Sequence, residues 1–367
     1  MIVRNKEVGH YLDDESFESF SKNIKQRKLK FHQFYNNEIY NNEFGFIQYM
    51  KKYKDNNNTK LLNKTYYDIE TFVDEDGAFT DPVNVIEPIN AVALYNNIKN
   101  TAVIIGYVEG KEENGKSFKC NITDPKVIEE GVHKLYKDAC KRKPDYIIED
   151  LKIEVIIVKD EKELLTVMFN KLKEFNQLLL IGFNSSQFDD AYIFNRSEKL
   201  FGEVQRNNLA SEFGIVKKYN DKTFELPDYE LADILQLYKP VGQGGGGLGK
   251  ALPDYKLNTV CKKVLGLTKL DLDLGFRQGF LQDIVGYLTY NLLDTLLTFK
   301  LDDRLKFLEQ SYELAKYNNA TMGATLRGRS FLYSYRNDLM YLKENKVIRT
   351  KKFSKEVLYE PKIREFD

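Results

Sequence analysis

Read for its rhythm of apolar and polar positions, the chain resolves into short strands and amphipathic helices. Tyr66-Tyr67-Asp68-Ile69-Glu70-Thr71-Phe72 combines aromatic and β-branched residues, which suit a strand. Side chains alternate faces along a strand, so Asp68 and Glu70 point one way while Tyr67 and Ile69 point the other. Residues 89–95, 101–108 and Ile153 to Val158 read as further strands of the same sheet, and Leu178 to Phe183 as a short, fully buried one. Between the last two, Leu164, Leu165, Met168, Phe169, Leu172 and Phe175 recur at helical spacing behind a capping pair, Asp160 and Glu163. The strand at 178–183 runs through Asn184-Ser-Ser-Gln-Phe-Asp-Asp190 into a helical Ala191 to Phe194. Leu235 to Pro240 closes another strand-like unit. Ile284, Val285, Leu288, Leu292, Leu296 and Phe299 predict a helix over 283–301 packed on one side. Residues 1–62 form a small polar leader closed by the loop at 55–59, and residues 110–145 read as a polar surface excursion.

Composition narrows the class. With 42% hydrophobic and 30% charged residues in 367, the sequence is that of an ordinary globular protein with ample material for a core. Lys+Arg and Asp+Glu balance at 55 each, which argues against binding nucleic acid through bulk charge. Local asymmetry is more informative. From Arg327 to Lys355 nine basic residues face two acidic ones, a net of +7 amid Phe331, Tyr333, Tyr335 and Tyr341. Basic residues interleaved with aromatics suit a single-stranded nucleic-acid track. Ser21 to Lys30 carries five basic residues and no acidic one, either a second such patch or a solvated helix face. Cys120, Cys140 and Cys261 stand far apart, as free thiols in a reducing compartment do. His10, His32 and His133 are scattered, supporting neither a zinc site nor a histidine-based triad. No apolar run reaches membrane-spanning length and no signal peptide is visible, which places the protein in the cytoplasm, or in a nuclear or viral setting. The glycines of 242–249 lack the spacing of a phosphate-cradling loop and read as a surface loop.

Three places carry candidate chemistry. Asp68 and Glu70, side by side on one strand face, repel each other unless a cation lies between them, and hard divalent cations prefer oxygen. No Lys or Arg occurs from Thr65 to Ile98 to neutralise them, although Asp-x-Glu is short enough to arise by chance. Asp189 and Asp190 follow a strand where a helix begins, a usual location of α/β sites; helix N-capping is the plainer role, and suits one of the two. Tyr290 and Asp294, four apart, share a helical face, where a hydroxyl could hold a water or phosphate oxygen near a metal or be simply half-buried.

In order, Asp68-Ile-Glu70, Asn184-x3-Phe188-Asp189 and Tyr290-x3-Asp294 resemble the three exonuclease motifs of family B DNA polymerases, of the four-carboxylate kind with tyrosine in the third motif. Thr289 precedes Tyr290, so the histidine variant does not match. Leu314-Ala-x2-Asn318-Asn319, Leu326-Arg-Gly-Arg-Ser-Phe331 and Glu360-Pro361 look like the segment leading to the palm, and the palm's own motifs are missing. The resemblance implies an α/β, RNase H-like (DEDD-type) exonuclease fold, a mixed central sheet flanked by helices. It implies an N-terminal region at 1–62, the exonuclease domain at 63–315 and a basic connector at 316–367. It also implies two Mg²⁺ or Mn²⁺ ions about 3.5–4 Å apart on Asp68, Glu70, Asp189 and Asp294, with Asp68 bridging and Asp189 acting largely through water. Tyr290 would orient the attacking water. Asn184, Phe188, Arg327 and Arg329 would contact the substrate, the 3′ end of single-stranded or primer-template DNA. The expected activity is proofreading 3′–5′ hydrolysis releasing nucleoside 5′-monophosphates in a host-cell cytoplasm, beside a palm-bearing subunit and a sliding clamp if the polymerase is split. Two other readings stay open: a free-standing 3′–5′ nuclease on DNA or RNA, and a non-catalytic nuclease-like DNA-binding module.

Overall fold

A computed structural model describes residues 62–73, 81–112, 115–240, 249, 251–269, 274–318 and 320–327. Its frame is a six-stranded sheet in the order β10-β7-β1-β2-β3-β6. The strands are β1 (Lys64–Thr71), β2 (Ile89–Asn96), β3 (Thr101–Tyr107), β6 (Lys152–Val158), β7 (Leu179–Gly182) and β10 (Glu230–Asp233). β2 alone runs against the others: β1 and β3 pair with it antiparallel, while β1–β7, β7–β10 and β3–β6 are parallel. The central strands β2 and β3 are almost wholly buried and rich in Val, Ile and Ala, as strands covered on both faces must be. Two small hairpins, β4 (Glu109–Lys111) with β5 (Ser117–Lys119) and β8 (Lys217–Asn220) with β9 (Thr223–Glu225), project from this frame.

Helices cover both faces. On one lies the pair α2 (Glu161–Phe175) and α3 (Asp189–Phe201). The expected cap is present: Glu163 N–H donates to Asp160 Oδ1 at 2.9 Å, and Glu163 Oε2 accepts from Lys159 N–H at 2.9 Å. The whole predicted stripe of α2, from Leu164 to Phe175, is buried. Arg196 of α3 is buried between these layers, paired with Glu161 at 2.7 Å and donating to the carbonyls of Val85 and Ile86.

The other face differs from the sequence reading in two respects. Residues 125–142 are not a surface excursion but an 18-residue helix, α1 (Pro125–Arg142), which buries Ile128, Val132, Tyr136, Ala139 and Cys140. Asp124 starts it by accepting from Lys126 N–H, with Pro125 in the first turn. The long helix expected at 283–301 is α8 (Ile284–Leu305), and it is buried nearly all round rather than on one side. It packs against β1, β2, β3 and α1 together, so polar residues on its flanks, Thr289, Asn291, Asp294 and Asp302, are buried as well. The strand-like unit at 235–240 is instead a single helical turn, α5 (Ile234–Tyr238), launched from the end of β10 by Asp233. Between α1 and β6 lies a 3₁₀ turn at Pro144–Tyr146, and α4 (Glu203–Ala210), α6 (Leu257–Val264), α7 (Gly275–Gln282), α9 (Phe307–Asn318) and α10 (Met322–Arg327) complete the described elements. No helix among the described residues is long and apolar enough to cross a membrane. The leader, the glycines of 242–248 and residues beyond 327 lie outside the described residues.

Candidate metal centre

Strand β1 presents its even-numbered residues to α8, and the two run antiparallel to each other. At one end Lys64 and Tyr66 reach Asp302, each to Oδ2, at 2.7 and 2.6 Å. Further along, Asp68 Oδ2 accepts from the Asn291 amide at 2.9 Å. The odd residues face the opposite layer, where the Tyr67 hydroxyl donates to Asp190 at 2.5 Å. The alternation expected from sequence therefore holds, and it puts Asp68 and Glu70 on the side of Asp294. A carboxylate oxygen from each of the three lies within 4.8 Å of the others. Just past Glu70 the β1–β2 register slips, Glu70 pairing with Ala91 and Thr71 with Ile89. Such bulges bend a strand and re-aim its side chains next to sites.

Around this trio the surroundings are dry. Glu70 and Asp294 are buried and Asp68 is half-buried. Burial, then the Asp294 charge, raises the Asp68 carboxyl to about 7 against the pull of Lys269 and the Asn291 hydrogen bond. Burial and the neighbouring Asp68 and Asp294 charges push Glu70 well up too. Asp294 is raised by burial, which the Lys269 charge and hydrogen bonds from Lys269 and Tyr290 oppose. Burial and mutual repulsion thus disfavour the charged forms of these acids, and a bound cation would reverse that.

Sequence periodicity gave no sign of Lys269. Its ammonium pairs with Asp294 Oδ2 and lies 4.7 Å from the centre of the Tyr290 ring. The lysine is fixed from behind: its N–H donates to Asn258 Oδ1 at 2.9 Å, and the preceding Thr268 takes the Tyr146 hydroxyl on its carbonyl at 2.6 Å and Lys143 on its hydroxyl. It supplies the positive charge that the local sequence around Asp68 lacks. Tyr290, packed edge-on against Phe276, is buried beside it.

The second motif is brought to the same end of the sheet. Asp189 opens α3, and its carboxyl is pushed well up, by burial first and then by the Asp68 charge. It is not among the three whose oxygens lie within 4.8 Å. Neither Asp189 nor Asp190 caps the helix, because Phe188 holds that position with no side-chain bond. The capping role weighed from sequence is thus replaced, for Asp190, by the bond from Tyr67. Asn184 sits at φ +63°, a left-handed conformation that Asn tolerates better than most residues. Asp233, also missed from sequence, braces the turn: it accepts Asn184 N–H at 2.9 Å, the Ser186 hydroxyl at 2.6 Å and Leu235 N–H at 2.9 Å. Phe188 is half-buried against Tyr192, ring centres 5.2 Å apart. Asn184, Lys239, Tyr255, Lys256 and Lys269 line an open cleft of about 770 Å³. Arg327 ends α10, the last described helix, and Arg329 lies outside the described residues.

A family model described as "DNA polymerase family B, exonuclease domain" matches residues 8–260. The chain belongs to this exonuclease-domain family. The "DNA-directed DNA polymerase" of Escherichia phage RB69 is 24% identical over 261 residues, which cover 68% of this chain and 26% of that relative's length. The chain thus spans about a quarter of that polymerase. The mixed sheet with helices on both faces is the RNase H-like fold expected of the exonuclease domain. Tyr290 and Asp294 lie beyond the matched span, and it is α8 that carries them to the first motif.

Proposed function

We propose that this chain is a metal-dependent 3′–5′ exonuclease acting on the 3′ end of single-stranded DNA, the proofreading part of a family B polymerase. The observation that carries the reading is the meeting of Asp68, Glu70 and Asp294 within 4.8 Å, from two distant segments, in a chain of this family. The donor set fits Mg²⁺ or Mn²⁺: it is all oxygen, with no histidine or thiolate, and Asp294 Oδ1 is buried without a hydrogen-bond partner among the described residues. Asp68, Glu70 and Asp294 would hold the ions, with Asp189 serving the outer one. When bound, the ions supply an acidified water and charge neutralisation for a phosphodiester.

The chain's own groups account for the rest. Lys269, once Asp294 turns to a cation, is a positioned ammonium for the non-bridging phosphate oxygens. The Tyr290 hydroxyl, one turn before Asp294, orients the attacking water. Asn184 and Phe188 would contact the terminal nucleotide, Phe188 by packing and Asn184 by hydrogen bonding. The cleft with Lys239, Tyr255 and Lys256 offers ammonium groups and a ring to the nucleotides behind it. A frayed 3′ end reaches such a site more readily than a paired one, which gives preference for mismatches. A palm-bearing subunit and a clamp remain partners proposed from family membership.

The test is a 5′-labelled oligonucleotide incubated with the chain. With Mg²⁺ or Mn²⁺ it should shorten one nucleotide at a time from the 3′ end, releasing nucleoside 5′-monophosphates, and chelator should stop it. Because Asp68 keeps its proton up to about pH 7, lowering the pH from roughly 8 to 6 should raise the cation concentration required. Internal cuts, 5′ trimming, or unchanged cleavage in chelator would refute the proposal.

A further inference from the structure

Asn291 lies one residue after Tyr290 and three before Asp294, on α8, and is completely buried. Its Nδ2 donates to Asp68 Oδ2 at 2.9 Å, while its Oδ1 is sealed from solvent and takes no hydrogen bond among the described residues. The backbone around it is held independently, since Thr295 donates its hydroxyl to the Asn291 carbonyl at 3.1 Å and approaches the Ala93 carbonyl of β2 at 3.4 Å. Leucine shares the branched outline, with somewhat bulkier methyl groups, and would leave no polar atom of its own unpaired. An amide at this place costs the fold something, and what it provides is a neutral donor to Asp68.

We infer that Asn291 is a positioning residue for the cation site, fixing the plane of the Asp68 carboxylate and supplying an acceptor to water held in the site. This rests on the proposed function. A donor on Oδ2 restricts rotation of the carboxylate, so the other oxygen keeps one direction; outer-shell hydrogen bonds of this kind orient ligands and set metal affinity. The unpaired Oδ1 would take its donor from water held in the loaded site, so the penalty would be removed only there.

The inference predicts opposite effects on stability and on binding. Asn291→Leu removes the unpaired oxygen, and Asp68, being half-buried, can take water in place of the amide. The metal-free variant should therefore melt at or above the wild-type temperature. Its Mn²⁺ affinity by calorimetry should fall by about 10-fold or more, with cleavage partly recovered at high Mn²⁺. Asn291→Ala guards against misfolding by the bulkier variant: it should melt lower because of its cavity, and still bind Mn²⁺ several-fold more weakly. A purely structural asparagine would give a lower melting temperature in both variants with Mn²⁺ affinity within about twofold of wild type, and that result would overturn the inference. Absence of Mn²⁺ binding by the wild-type chain would instead defeat the underlying proposal of a cation site.

Discussion

Asp294→Asn and Asp68→Asn should each lower 3′–5′ cleavage by about 10³-fold or more while leaving the fold intact. Each change keeps the side chain's shape and removes one negative charge from a group of three carboxylates whose oxygens lie within 4.8 Å. Like charges in a dry site oppose one another, and burial raises the carboxyls of Asp68, Glu70 and Asp294. In Asp68→Asn, removing one charge relieves repulsion in the metal-free protein, and the thermal midpoint should hold or rise slightly. In Asp294→Asn the Lys269 ammonium loses its ion-pair partner, so the midpoint should fall, the remaining attraction of Asp68 limiting the loss. The comparison is made on the labelled oligonucleotide at saturating Mg²⁺, with a thermal melt of the same preparation. Full activity in either variant would remove that carboxylate from the site.

Lys64→Met should produce the largest loss of stability. Its ammonium is buried 2.7 Å from both Asp302 and Glu309, and the Tyr66 hydroxyl meets the same Asp302 oxygen. Burial alone would lower the lysine's pKa, yet the carboxylates hold it raised, so the charged form is the stable one. Methionine matches the length of the stem and strands Asp302, which is completely buried, with only a hydroxyl for company. Leaving a buried charge unpaired costs about 3–5 kcal/mol, or roughly 6–20 °C in melting temperature for a domain of this size. The double variant Lys64→Met with Asp302→Leu should recover most of the loss, because an apolar pair of similar volume replaces the ions at little cost. Asp294 lies eight residues before Asp302, about 12 Å along α8. The folded fraction of Lys64→Met should thus keep its cation affinity. A melting temperature within about 2 °C of wild type would contradict this account of the network.

What the sequence made legible was whatever follows from local periodicity. The alternation of β1 placed Asp68 and Glu70 on one side and Tyr67 on the other, and the apolar stripe of α2 and its cap are found as read. The helix at 125–142 is hard to read because its apolar residues are diluted by Lys and Glu, although Ile128, Val132, Tyr136 and Cys140 repeat every fourth position. The apolar stripe of α8 predicts burial on one side alone. Its buried Thr289, Asn291 and Thr295 look polar in sequence, and only the packing of α8 between sheet and helices shows that they are enclosed.

Within the site the difference is sharper. Carboxylates on a strand or helix could be picked out because their spacing sets their face. Lys269 sits on irregular chain after α6, positioned by Asn258 and by the segment before β6, and no periodicity predicts where such a residue goes. Asp233 at the end of β10 reaches the turn at Asn184 only because β10 and β7 are parallel neighbours. The unmatched third motif is the clearest case: Asp294 is far from Asp68 in sequence and joins it because α8 lies antiparallel along β1.

The most direct test of that junction is a crystal of the chain soaked in Mn²⁺ and measured for anomalous scattering. The account predicts a strong peak about 2.1 Å from oxygens of Asp68, Glu70 and Asp294, with Lys269 turned away from Asp294. A crystal at millimolar Mn²⁺ with no peak among those three side chains, or with their carboxylates on opposite sides of the sheet, would contradict it.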